Sequence, residues 1–179
     1  KSVAATKTYT GQLMALYLLA YSLGAKISLE HLRRIPDWAS VALQLESEIA
    51  GRAERYRFMR HAAVVARGLN YANAFELALK LMETCYVVAE RFSLADFLHG
   101  PIAMVEPSFP VFLFTPPGVT WPAMKDILSR LVQLKAETLV ITDEGNTGVV
   151  GLSPRVYRIP ARLGGKGVRP EDLYTPIPY

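Results

Sequence analysis

The chain has 179 residues, enough for one domain with a substantial core. Hydrophobic residues make up 51% and charged residues 20%, which excludes an intrinsically disordered chain. A net charge of +4 suits a small anionic ligand, but the basic residues alternate with acids and do not form the footprint of a nucleic-acid-binding surface.

Residues 5–23 are predicted to form the first helix. Lys1 and Lys7 precede the apolar run 13–20, which superficially resembles a secretory leader. The run is too short to span a bilayer, and Gln12, Tyr21 and Ser22 bound it. With Gly24 as a C-cap it reads as a buried core helix, and no membrane association is expected. The chain starts without an initiator methionine, inside what reads as a motif, so a fragment of a longer protein is expected. Ile35-Pro36-Asp37-Trp38 reads as a turn, Pro36 breaking the pattern. A long helix is predicted over 39–60. Its Arg52, Arg55, Arg57 and Arg60, interleaved with Glu46, Glu48 and Glu54, make a solvated face.

From residue 62 the texture changes. Strands are predicted near 62–66, 110–115, 137–142 and 156–159, with helices over 71–88 and 121–134 between them. The Gly- and Pro-rich stretch 164–179 shows no closing element and reads as a truncated tail. The expected organisation is an N-terminal helical segment (1–60), an α/β core (61–163) and that tail (164–179). Alternating strands and helices predict an α/β three-layer sandwich with a mostly parallel sheet. In such sheets ligands bind beyond the carboxyl ends of the strands, here 67–70, 115–118 and 143–146.

The helix 71–88 is the most informative segment. Its polar side chains are Asn73, Glu76, Lys80, Glu83 and Thr84, within a stripe roughly 100° wide, and the rest is apolar. It is therefore expected to be buried. Buried charges need partners, and Glu76 and Lys80 at i,i+4 and Lys80 and Glu83 at i,i+3 can supply them. This is either a structural ion cluster or a carboxylate general base held beside a cation at the floor of a cleft. His99, held in a loop by Gly100-Pro101, is a candidate for proton transfer near neutral pH, although a lone histidine is more often structural. The opening Ser2–Thr10 leads small and hydroxyl residues into a helix whose first amides suit ligand oxygens or ordinary capping. Cys85, the only cysteine, excludes an intrachain disulfide and a cysteine-based zinc site. It implies a reducing compartment and reads as core.

These elements resemble a known family, the sugar isomerase (SIS) domains, flavodoxin-like in fold. Val3-Ala4-Ala5-Thr6-Lys7-Thr8-Tyr9-Thr10 looks like the family opening V-A-[ST]-T-K-x-[FY]-T. Glu76-Leu77-Ala78-Leu79-Lys80-Leu81-Met82-Glu83 looks like its E-x-A-L-K-L-x-E helix, and His99-Gly100-Pro101 like its H-G-P loop. The likeness is to the second SIS domain of glucosamine-6-phosphate synthases, and equally of double-SIS glucosamine-6-phosphate deaminases.

The resemblance implies a phosphosugar aldose–ketose isomerase, coupled to amination or deamination of a hexose 6-phosphate. The rival is a non-catalytic SIS domain that only binds sugar phosphate. Glu83 would move the proton between C1 and C2. Lys80 would organise that carboxylate, and Glu76 would sit near the reacting end. His99 would assist ring opening in a neighbouring subunit, which implies a homodimer. Val3, Ala4, Ala5 and Thr6 would line the substrate. No metal or organic cofactor, nucleic acid or membrane is implied, and the setting is cytoplasmic.

Two residues depart from the synthase pattern. Ala5 stands where a substrate-binding serine is usual; Leu98 stands where a lysine is usual, which points to the deaminase-like or an uncharacterised branch. The family's phosphate-binding loop belongs to a first SIS domain outside this chain, so the chain alone is not expected to be a complete enzyme.

Overall fold

In a computed structural model, residues 4–160 and 171–179 are described. The sheet has five strands, all parallel: β1 (His61–Ala66), β2 (Val88–Ser93), β3 (Pro110–Phe114), β4 (Glu137–Asp143) and β5 (Val156–Ile159), in the order β2-β1-β3-β4-β5. The helices are α1 (Thr6–Ser22), α2 (Leu29–Leu43), α3 (Glu46–Ala53), α4 (Tyr71–Cys85), α5 (Leu94–Leu98) and α6 (Trp121–Gln133). The predicted α/β sandwich is the observed one, helices covering both faces.

Strand composition explains the layers. Parallel strands between two helical layers bury both faces and need apolar residues throughout. In β1, Ala63 and Val65 join the core under α5 and α6, with Leu94, Phe97, Met124 and Leu128. Ala62, Val64 and Ala66 join the opposite core with Ala74 and Ala78 of α4. β3 alternates the same way, Val111 and Leu113 to one side, Phe112 and Phe114 to the other.

The sequence reading placed no strand at 88–93. Helix α4 stops at Cys85 because Tyr86 takes a left-handed conformation (φ 56°) and the Val87 amide donates back to the Leu81 carbonyl. The chain then pairs along β1, from His61 opposite Val88 to Ala66 opposite Ser93. As an edge strand β2 buries little beyond Ala89 and carries Glu90 and Arg91 outward, so it lacks the apolar run of the central strands.

Helix α2 corrects a second reading. Pro36 does not end a helix but lies within α2, which Ser28 caps by accepting from the His31 amide. Leu32, Ile35 and Trp38 form its buried face, and burying them outweighs the hydrogen bond the proline cannot donate.

Residues 171–179, expected to be a tail without a closing element, pack into the molecule. Tyr174 and Thr175 are fully buried, and Tyr174 joins Tyr17, Leu32, Ile35 and Trp38 in a third apolar cluster. Tyr17 donates to the Leu173 carbonyl (2.5 Å), and Tyr179 donates to Asp143 (2.7 Å) at the end of β4.

Two helices expected to be buried are not. Helix α1 buries Tyr17 but leaves Leu16, Leu18, Leu19 and Leu23 about half exposed or more (60, 49, 53 and 79%). Helix α4 buries Asn73, Ala74 and Ala78, whereas Phe75, Leu79, Met82 and Tyr86 are exposed along one side. Cys85 is also exposed rather than core. An apolar circumference showed that these helices avoid water; it did not say what covers them. Among the described residues no helix is long and apolar enough to cross a membrane.

Candidate active site

Helix α4 follows β1 and runs back along the sheet, so its polar stripe descends from Asn70 at the carboxyl end of β1 towards the start of β2. At about 1.5 Å per residue, Glu83 lies ~10 Å below Glu76. Asn70 thus lies at the carboxyl end of β1, where ligands were expected, and the carboxylates flank the sheet along α4.

Lys80 sits between the two acids. Its Nζ lies 2.6 Å from Glu83 Oε2 and 3.5 Å from Glu76 Oε1. The three side chains keep 19–23% of their surface, so the cluster is half sheltered yet open to a ligand. The hydrogen bond from Nζ to Glu83 is the main reason the Lys80 ammonium is held above its usual range, with the Glu76 charge adding. Lys80 is therefore a permanent cation, and two carboxylates share it. Glu83 is its closer partner and Glu76 the more distant one.

Higher on the same stripe the groups are neutral. Asn73 is buried and donates to Asn70 (3.0 Å), which donates to Thr175 (2.6 Å). Asn73 also accepts from the Tyr9 hydroxyl of α1 (2.6 Å). Burial pushes the Tyr9 phenol up to about 12, the Glu76 carboxylate adding, so it remains a donor and lies in the field of that acid. Tyr9 and Thr175 were not singled out from sequence. The available signal was Asn73 in an apolar helix, since a buried amide must find partners elsewhere in the chain.

His99 is placed by its neighbours. Ser93 caps α5 by accepting from the Asp96 amide (3.2 Å) and bonds the Asp96 carboxylate (2.6 Å). His99 closes that short helix, and Gly100 follows at φ 156°, a conformation L side chains rarely adopt. Pro101 then starts a 3-10 turn. The imidazole is exposed at this corner and has no partner from its own chain among the described residues. The structure does not bring His99 together with the α4 acids by a direct contact.

Of the predicted substrate-lining residues, Val3 lies outside the described residues. Ala4 and Ala5 are partly buried, and Ala5 caps α1 with its carbonyl accepting from Thr8 and Tyr9. Thr6 begins α1. Among the described residues no side-chain hydrogen bond caps α1 at Ala5.

A five-stranded parallel sheet in the order β2-β1-β3-β4-β5, covered by helices on both faces, defines the class as a doubly wound α/β domain. The chain belongs to the SIS domain family, whose profile matches residues 57–162. It is 34% identical over 187 aligned positions to a glutamine–fructose-6-phosphate aminotransferase (isomerizing) of Xylella fastidiosa, covering 90% of this chain and 30% of the relative. The chain thus spans about 30% of the length of such curated relatives.

Among solved structures it superposes on the C-terminal domain of glucosamine–fructose-6-phosphate aminotransferase from Francisella tularensis with TM-score 0.70 and 26% identity, covering 83% of this chain and 42% of that one. A glucosamine-6-phosphate deaminase of Thermotoga maritima gives TM-score 0.58 at 22% identity, over 75% of this chain and 41% of the other, a likeness of fold alone.

Proposed function

We propose that this domain supplies the proton-transfer machinery of a phosphosugar aldose–ketose isomerase acting on a hexose 6-phosphate, coupled to amination or deamination. The observation that carries this is Lys80 lodged between Glu76 and Glu83 on one stripe of α4. A structural ion pair needs one acid for one base. Here one ammonium holds two carboxylates on a single half-sheltered stripe, Glu83 by the shorter contact, which orients Glu83 as a base serving adjacent carbons requires. Glu83 takes the proton from one carbon and returns it to the next. Lys80 orients that carboxylate, and Glu76 sits near the reacting end. Ala4, Ala5 and Thr6, with Val3, line the sugar. The relatives' names support a fructose 6-phosphate or glucosamine 6-phosphate substrate.

His99 assists ring opening in the site of a second subunit, since it is exposed and makes no direct contact with its own α4 acids. The exposed apolar sides of α1 and α4 support packing against another SIS domain or subunit. Residues 1–60 then form the helical link to such a domain and 61–163 the core, with 164–179 as its C-terminal tail. The setting is cytoplasmic.

The test is Glu83→Gln in the product of the whole gene. It should lower exchange of the C2 hydrogen in deuterated water by at least about 10²-fold while sugar-phosphate binding persists. Exchange at the parental rate in a folded variant would leave binding without catalysis as the better reading.

A further inference from the structure

The Glu76–Lys80–Glu83 cluster continues upward as an uncharged chain of hydrogen bonds. Tyr9 donates to Asn73, Asn73 to Asn70, and Asn70 to Thr175. The two asparagines are 4% and 0% exposed, and Thr175 is fully buried. These groups come from three separate stretches: α1, the start of α4, and the segment 171–179. An apolar residue at 73 would need no hydrogen-bond partners. A buried amide there is stable only when every neighbour is in place, which fixes one arrangement of the three stretches.

The direction of the chain is set at Tyr9. A phenol held as a donor far above neutral pH presents its hydrogen to Asn73 Oδ1, turning the Asn73 amide group towards Asn70. Tyr9 stands one turn into α1 from Ala5, whose carbonyl accepts from its amide (3.3 Å). Asn73 stands one turn from Glu76 on α4.

We infer that Tyr9 and Asn73 are positioning residues, a tie that fixes the α1 opening against the acid stripe of α4, with Asn70 and Thr175 anchoring it; this rests on the function proposed above. The opening carries the backbone groups assigned to the sugar, and the stripe carries the base. The tie therefore sets the gap in which the sugar carbons must meet Glu83. A misplacement of about 1 Å in such a gap costs up to about 10²-fold in rate. The tie touches no reacting atom.

The test uses Tyr9→Phe, Thr175→Val and the double variant in the product of the whole gene. Turnover is read as C2-hydrogen exchange of fructose 6-phosphate and glucosamine 6-phosphate in deuterated water. Binding is titrated with the same sugars, and backbone amide exchange over 171–179 is followed without sugar. Tyr9→Phe should lower turnover about tenfold while binding changes less than about threefold. It should also speed amide exchange at 173–175. Thr175→Val should act in the same direction, and the double variant should be no slower than the slower single one, because the chain acts as a unit. Parental turnover in folded Tyr9→Phe, or strictly additive losses, overturns the tie alone. A parental protein that neither exchanges nor binds either sugar overturns the proposed function together with it. If Tyr9→Phe fails to fold, Thr175→Val decides: parental turnover there overturns the tie.

Discussion

Lys80 Nζ stands 2.6 Å from Glu83 Oε2 and 3.5 Å from Glu76 Oε1, so one ammonium serves two carboxylates a single helical turn to either side. Removing the cation while keeping the stem leaves those carboxylates facing each other across the stripe. A carboxylate released from its cation is no longer held in one orientation. Lys80→Met should therefore lower turnover by about tenfold or more while sugar-phosphate binding persists. Parental turnover in the folded variant would show that Lys80 does not position the base.

The stability–pH curve should fall on both sides. Tyr9 and Tyr56 are each pushed up to about 12, first by burial and then by Glu76 and Glu137 respectively. An unfolded phenol titrates near 10, so their contribution is complete below about pH 10 and lost as pH rises towards 12. On the acid side, burial alone would raise Glu137, but Arg55 (2.6 Å) and Arg155 (2.5 Å) outweigh it and hold the carboxyl below the usual range. Its contribution is present above about pH 4 and lost as pH falls through the lowered value. In urea titrations across pH, Tyr56→Phe should flatten the alkaline decline and Glu137→Gln the acid one. Unchanged slopes would contradict these assignments.

Pro36 is exposed within α2 and withholds the amide that would bond the Leu32 carbonyl. An alanine in a helix interior is favoured over proline by about 3 kcal/mol, offset by about 1 kcal/mol from the freer unfolded chain. Pro36→Ala should therefore raise the urea midpoint, with a net gain on the order of 2 kcal/mol. A lower midpoint would mean that the proline ring makes a contact worth more than the lost hydrogen bond.

If His99 serves the neighbouring subunit, Glu83→Gln and His99→Ala should complement each other. Each variant alone lacks one group in every site. A mixed dimer holds one site with both groups intact, so random mixing should restore about a quarter of parental turnover. No recovery in verified mixed dimers would place His99 in its own subunit's site or outside catalysis.

By itself the sequence determined the layers and the ionic cluster. Ala62–Ala66 and Val111–Phe114 are apolar on both alternating faces, which only a sheet between two helical layers requires. Glu76, Lys80 and Glu83 fall on one stripe because helical geometry is local and leaves no choice. The edge strand β2 was not legible, since a strand paired on one side needs no apolar run and its charged residues mimic a loop. Pro36 misled for a related reason: a local helix breaker was overridden by burial of Leu32, Ile35 and Trp38 against residues far along the chain. Only the tertiary structure brought Tyr9, Asn73 and Thr175 into one chain of hydrogen bonds. Their contacts span up to 105 positions, and the pairing of polar groups so far apart is decided by packing rather than by any periodicity.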